Sequence, residues 1–170
     1  MIHTYKTIHI PKESPLLEIC APVQDFLSEE VKACMEEMTS HMEIDDNIYG
    51  LAANQLGFDL RLIIMKNPNP DKGKFLFLFN PAIQWESKDQ EYFEEGCMSF
   101  PGLYVPIKRP DVVTVGYQDH RAGFMTLTLE GIHARIAQDE IDHLDGKLFF
   151  KKATSYHLEK AVKKWKKNDF

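Results

Sequence analysis

Long apolar runs are missing from this 170-residue sequence. None approaches the roughly 20 residues that a membrane-spanning helix needs. The opening stretch Met1-Ile2-His3-Thr4-Tyr5-Lys6 has no apolar export segment. Cysteine is scarce. Cys20, Cys34 and Cys97 are far apart and odd in number, a poor disulfide framework. These features predict a reducing, cytoplasmic setting and no membrane partner. An excess of positive charge is also lacking: 20 basic against 26 acidic residues leave a net charge of −6. That balance argues against direct nucleic-acid binding. The one basic cluster, Lys160, Lys163, Lys164, Lys166 and Lys167, reads as a solvated helix face. No internal repeat, low-complexity tract or linker is visible, so one domain over 1–170 is expected, long enough to bury its own core.

The elements that are present follow two periodicities. Ser28 is a natural helix N-cap, with Glu29 and Glu30 in the first turn. Val31, Cys34, Met35, Met38 and Met42 then recur every three or four residues, giving one apolar face. Cys34 is thereby structural, and Cys20 reads the same way. Asp45-Asp46-Asn47 reads as a loop. Leu60 to Met65, Phe75 to Phe79 and Asp111 to Tyr117 read as strands, and Met125, Leu127 and Leu129 alternate as in a fourth. Pro68, Pro70, Pro81, Gly102, Pro106, Pro110 and Gly123 punctuate them. A second helix is predicted from about Glu130 to His143, stopping near Gly146. Leu158, Val162 and Trp165 mark a third. Helix, strands, helix, helix predicts an α+β fold with mainly antiparallel sheet around the second helix.

Three segments carry chemistry. In Gln138-Asp139-Glu140-Ile141-Asp142-His143, residues 139 and 143 are four apart and share a helix face. Both therefore point at a common ligand, with Glu140 beside them. This is the back half of the H-E-x-x-H pattern of metal hydrolases, with Asp139 where the first His belongs. Such sites pair a Lewis-acid metal with a carboxylate that takes and returns a proton. By itself D-E-x-x-H is weak, since any charged helix face carries such a pattern. In Glu95-Gly96-Cys97-Met98-Ser99-Phe100-Pro101-Gly102, Gly96 permits close backbone approach and Cys97 is a good soft metal ligand. In Gly50-Leu51-Ala52-Ala53-Asn54-Gln55, small residues permit tight packing, and the Gln55 amide is a donor for a developing oxyanion.

Together, in this order, the three segments resemble the peptide deformylase family. Its motifs are G-x-G-L-A-A-x-Q, E-G-C-L/M-S and Q-H-E-x-D-H, matched here by Ile48 to Gln55, Glu95 to Ser99 and Gln138 to His143. Leu16 to Val23, Pro106 to Pro110 and His143 to Phe149 extend the likeness over nearly the whole chain. The resemblance implies antiparallel sheets around the motif-bearing helix. It implies a divalent metal, ferrous iron or zinc, with nickel or cobalt as substitutes. Cys97 and His143 would be ligands, and Asp139 would hold the third ligand position. Glu140 would be the general acid/base, with Gln55 and the backbone N–H of Met98 as the oxyanion hole. Gly50, Leu51, Phe100, Pro101 and Gly102 would run beside the substrate backbone, and Gly96 would also bind substrate. Ile132, Arg135 and Ile136 would line the pocket for the methionine side chain, and Arg109 matches the family's structural arginine. The implied substrates are N-formyl-methionyl peptides or nascent chains, and the implied reaction releases formate. The chemistry suits a bacterial cytoplasm, for a monomer or a homodimer.

Two positions depart from the pattern. Ile48 replaces a Gly, narrowing the cleft mouth or excluding a left-handed backbone. Asp139 replaces a His ligand. A carboxylate also ligates zinc or iron. With a thiolate, a carboxylate and one imidazole, however, a divalent metal is neutral rather than +1. Its water is then expected to be less acidic and the reaction slower. His133, about two turns before Glu140, is too far along the helix to replace the missing His, and His120 reads as a solvated turn residue. Three outcomes follow: a deformylase with a Cys/Asp/His site, a deformylase-like peptide-binding protein with little or no catalysis, or a metal amidase of altered specificity.

Overall fold

Helix α1 (Glu29–Ile44) begins where its residue types place it, and the Ser28 hydroxyl accepts from the Val31 N–H at 3.2 Å. The computed structural model describes residues 14–97 and 99–167. After α1 come β1 (Gly50–Ala52), β2 (Leu62–Lys66), β3 (Phe75–Glu86), β4 (Gln90–Gly96), β5 (Tyr104–Pro110), β6 (Val112–Gln118), β7 (Phe124–Glu130), α2 (Gly131–Leu144) and α3 (Ser155–Lys167). All named strand pairs are antiparallel. Five strands form one sheet in the order β1-β2-β3-β6-β7, and β4 and β5 form a separate two-stranded ribbon. The expected α+β class therefore holds.

Strand alternation separates two cores. On β2, Leu62 and Ile64 face one side with Phe77 and Phe79 of β3, and the apolar stripe of α1 covers them with Val31, Cys34, Met38 and Met42. Ile63, Met65 and Leu78 face the other side, against Ala134, Ala137, Ile141 and Leu144 of α2. Covering both faces explains why β2 is apolar at consecutive positions rather than alternating. A third cluster joins Val105 and Ile107 of the ribbon to Phe149, Phe150 and the Leu158, Ala161, Val162 face of α3. Helix α2 thus lies between the large sheet and the ribbon, and most of its residues from Ala134 to Leu144 are buried.

Three strand readings needed correction. Strand β3 does not stop at Phe79 but runs to Glu86, through Pro81. A register shift between Phe79 and Ala82 absorbs the proline, which has no N–H for the ladder. Asn80 takes a left-handed φ of 49° there, and its amide exchanges two hydrogen bonds with the Val23 backbone. Pro106 and Pro110 are not breaks but members of β5. In a two-stranded ribbon every strand has a free edge, so a missing N–H is tolerated. The β4 strand has no clean alternation and its pairing comes from β5.

The end of α2 is held where the motif needs it. The Cys20 N–H donates to the Leu144 carbonyl at 2.9 Å. The buried Asn54 amide donates to the His143 carbonyl at 2.6 Å, linking the first motif to the third. Gly146 follows with φ +66°, and a Cβ there would sit 2.6 Å from the Leu17 carbonyl oxygen. Gly146→Ala combines a left-handed backbone with a clash against main chain. It is expected to lower stability by about 2 kcal/mol or more, the scale of such strain. Urea unfolding measures this, and an unchanged midpoint would show that the turn relaxes freely.

Candidate active site

Five side chains converge at the C-terminal half of α2. Cys97 Sγ, just beyond β4, lies 3.3 Å from His143 Nε2. Asp139 Oδ2, one turn earlier on the helix, lies 3.9 Å from the same nitrogen. The Gln55 amide nitrogen points at Cys97 Sγ from 3.5 Å, while its oxygen accepts from the Ala52 N–H at 2.8 Å. That second bond fixes which end of the amide faces the site. The Glu140 side chain lies against Gly50, with Oε1 and Cγ 2.9 and 3.0 Å from where a Cβ on that glycine would go.

Burial sets the charges. It pushes the Cys97 thiol up to about 12, although Ser99 hydrogen bonds oppose the shift. It pushes His143 down to about 4, so the imidazole is neutral at neutral pH. It raises the Glu140 carboxyl well above the ordinary range, with the nearby Asp139 charge adding to the effect. Glu140 Oε2 and His143 Nδ1 are both buried without a hydrogen-bond partner among the described residues. Asp139 is also raised by burial, to about 7, against the pull of Arg109. Its side chain keeps 16% exposure and meets the Arg109 guanidinium at 2.8 Å, which favours the carboxylate form at neutral pH.

Arg109 of β5 is the hub beneath these groups. It donates two bonds to Glu95 at 2.7 and 2.8 Å, one to Asp142 at 2.6 Å and one to Asp139 at 2.8 Å. Arg135 donates to Glu95 at 2.6 Å and to the Ile107 and Glu91 carbonyls. Lys152 pairs with Asp142 at 2.7 Å.

The donors suit a divalent cation. Tetrahedral zinc with bonds of about 2.0–2.3 Å holds its ligands about 3.3–3.6 Å apart. The Cys97–His143 and His143–Asp139 separations are near that range. Among the described residues no three His, Cys, Asp or Glu close into a finished cage. The physical reason lies in Asp139, whose Oδ1 is taken by Arg109 and whose Oδ2 alone faces His143. The donor types and the two separations suit a cation, and the third side is left open where Asp139 Oδ1 is bound to Arg109.

An open cleft of about 540 Å³ runs past this cluster. Of the residues expected to bind substrate, Gly50, Gly96, Ile132, Arg135 and Ile136 line it, with Gln55, Cys97, Asp139 and Glu140. Leu51, Phe100, Pro101 and Gly102 do not. Leu51 is packed in the α1 core, and Phe100 sits against Phe149 and Phe150. The Pro101 carbonyl accepts from Trp165, and Gly102 makes a turn with φ +79°. Met98 lies outside the described residues. Asn47, Tyr49, Phe93 and Glu94 line the cleft without having been singled out. The signal for Phe93 was an aromatic two residues before Glu95, on the same face of a strand not recognised in the sequence. Ile48 also reaches the cleft but is 94% removed from solvent, and its φ is not left-handed. An isoleucine therefore fits there without backbone strain.

Of the glycines lining the cleft, Gly50 carries the tightest constraint. A Cβ there would stand 2.5 Å from Ile136 Cγ2 and 2.9 Å from Glu140 Oε1. Gly50→Ala should cost about 1–3 kcal/mol, the usual scale of overpacking, measurable by urea unfolding. A variant as stable as the parent would show that Glu140 and Ile136 move aside freely.

Comparison with known proteins gives one answer. The polypeptide deformylase family model matches residues 5–159. Peptide deformylase 1 of Bacillus cereus is 39% identical over 143 residues, covering 84% of this chain and 88% of that protein. Peptide deformylase 1B of Arabidopsis thaliana is 37% identical over 137 residues, covering 79% of this chain, which spans 50% of that longer protein. A solved peptide deformylase from Legionella pneumophila superposes with a TM-score of 0.79 at 34% identity, covering 93% of this chain and 91% of that one. The part-buried Cys97–His143 contact, the Gln55 amide turned toward it and the adjacent Glu140 thus sit in a shared fold, and the chain belongs to the peptide deformylase family.

Proposed function

We propose that this chain removes the N-formyl group from formyl-methionyl peptides and nascent chains as a metal-dependent amide hydrolase. The observation that carries the reading is Glu140: a buried carboxyl with an unpartnered oxygen, one residue from Asp139 and facing the cleft beside Cys97. Cys97, His143 and Asp139 would hold the cation, ferrous iron or zinc, with nickel or cobalt as alternatives. A divalent cation held there supplies Lewis acidity, acidifying a water and polarising the formyl carbonyl.

The chain's own groups do the rest. Glu140 takes a proton from the attacking water and delivers it to the departing amine. The C–O bond to the water oxygen forms, the formyl C–N bond breaks, and formate and a free amino terminus leave. Burial raises the proton affinity of the Glu140 carboxyl above the ordinary carboxylate range, which strengthens it as a proton acceptor. Gln55 Nε2, fixed by the Ala52 contact, is aimed to donate to the oxygen that gains charge. The Met98 N–H is our second proposed donor. Ile132, Ile136 and the stem of Arg135 offer an apolar wall for the methionine side chain. Gly50 begins the edge strand β1, whose outer side pairs with no other described strand and is where an extended peptide would add. No described helix is long and apolar enough to cross a membrane. A bacterial cytoplasmic setting is part of the proposal, supported by three free cysteines.

Formate release from a formyl-methionyl tripeptide, with oxygen-free iron- or nickel-loaded protein, tests this reading. Turnover is expected in the parent. Glu140→Gln should lower it by about 10²–10⁴-fold, the usual share of acid–base catalysis, while still binding metal. A parent silent with every divalent metal sinks the proposal and leaves a peptide-binding role.

A further inference from the structure

Asp139 has a carboxylate with two distinct sides. Oδ1 accepts from Arg109 Nη2 at 2.8 Å, and Oδ2 faces His143 Nε2 at 3.9 Å. Arg109 is 1% exposed and its other donors go to Glu95 and Asp142, so it is held from several directions. A guanidinium gripped in this way is a rigid template for the third carboxylate. The surrounding charges also close. Glu95, Asp139 and Asp142 are three carboxylates, and Arg109, Arg135 and Lys152 are three cations in one connected network. Asp139 is thus balanced by the protein and not by the cation it faces. A divalent ion beside the Cys97 thiolate would keep a net +1, the value expected for a thiolate with two imidazoles. The Arg109 guanidinium thereby offsets part of the loss of electrophilic power anticipated from a neutral centre.

We propose that Arg109 is the positioning residue of the metal site: it clamps Asp139 Oδ1, presents Oδ2 as a single-oxygen ligand beside Cys97 and His143, and balances the charge that Asp139 brings. The inference rests on the metal-dependent reading above and deepens it. Arginine only donates hydrogen bonds. Its clamp therefore dictates the orientation of any side chain at position 139. In Asp139→Asn the amide oxygen must turn to Arg109, which sends the –NH2 toward Cys97 and His143. That nitrogen has no available lone pair and cannot ligate. Without the clamp, the amide oxygen would be free to turn inward and ligate weakly.

Cobalt titration of the apo-protein, followed by its thiolate charge-transfer and visible bands, reads this without any assay of turnover. The parent should bind one Co²⁺ per chain, with a thiolate band and the intense visible bands of a four-coordinate ion. Asp139→Ala and Asp139→Asn should bind equally poorly, about 10–100-fold more weakly than the parent, the scale for loss of such support. Arg109→Lys, which keeps the charge but cannot grip three carboxylates, should retain the thiolate band with weaker visible bands as Asp139 becomes two-oxygen. An Asp139→Asn affinity clearly above that of Asp139→Ala overturns the clamp, even if Arg109→Lys fails to fold. So does a folded Arg109→Lys with the parent's affinity and spectrum. An Asp139→Ala variant that binds like the parent removes Asp139 from the ligand set. These three results leave the deformylase reading intact. A parent with no cobalt–thiolate band overturns this proposal and the metal site of that reading together.

Discussion

Everything near the cleft depends on one buried guanidinium. Arg109 is 1% exposed and bonds three carboxylates contributed by β4 and two turns of α2. Burying an arginine is costly, and it is tolerated only where its donors and charge are met. Here four bonds of 2.6–2.8 Å meet them. The same bonds tie the ribbon to the helix that the large sheet also packs against. Two separate sheets are in this way given one rigid relation, and the residues at their junction are the site.

The architecture explains how a site can be both buried and reachable. Most of the C-terminal half of α2 is enclosed, yet Asp139 and the cleft-facing edges of Gly50, Gly96 and Ile132 stay open. Low solvent access raises Glu140 and Cys97 and lowers His143. All three shifts favour uncharged forms, because few waters remain to solvate a charge. A cation entering such a place meets a neutral imidazole directly and a thiol that must give up its proton. The edge position of β1 adds a free strand side next to these groups.

Asp139 shows how a motif departure is read differently once its surroundings are known. As a string, D-E-x-x-H is a defective H-E-x-x-H. In three dimensions the Asp carboxylate has a cationic partner that an imidazole would not require, and Lys152 completes the balance from the segment before α3. The substitution fits the network around it. That is a property of several residues, distant in sequence, acting on one.

The helices, the main strands and the three chemical segments were legible in the residues themselves. Helix caps, three-to-four spacing and strand alternation are local rules, and a motif is a local string. Asp139 and His143 shared a face because helix geometry puts residues four apart together, with Glu140 beside them. Folding in space was needed for what local rules do not contain. The β4–β5 ribbon exists through pairing, despite Pro106 and Pro110, so its aromatic Phe93 became a cleft residue only with the partner strand in place. Leu51 and Phe100 belong to motif segments, yet their side chains point into cores, since alternate residues of a segment face opposite ways. The approach of Cys97 to His143 over 46 positions, and the clamp of Arg109 on Asp139 over 30, are long-range contacts. Residue identity determined which groups were available for chemistry. Packing decided which of them meet, because the distance between two side chains is set by every element lying between them.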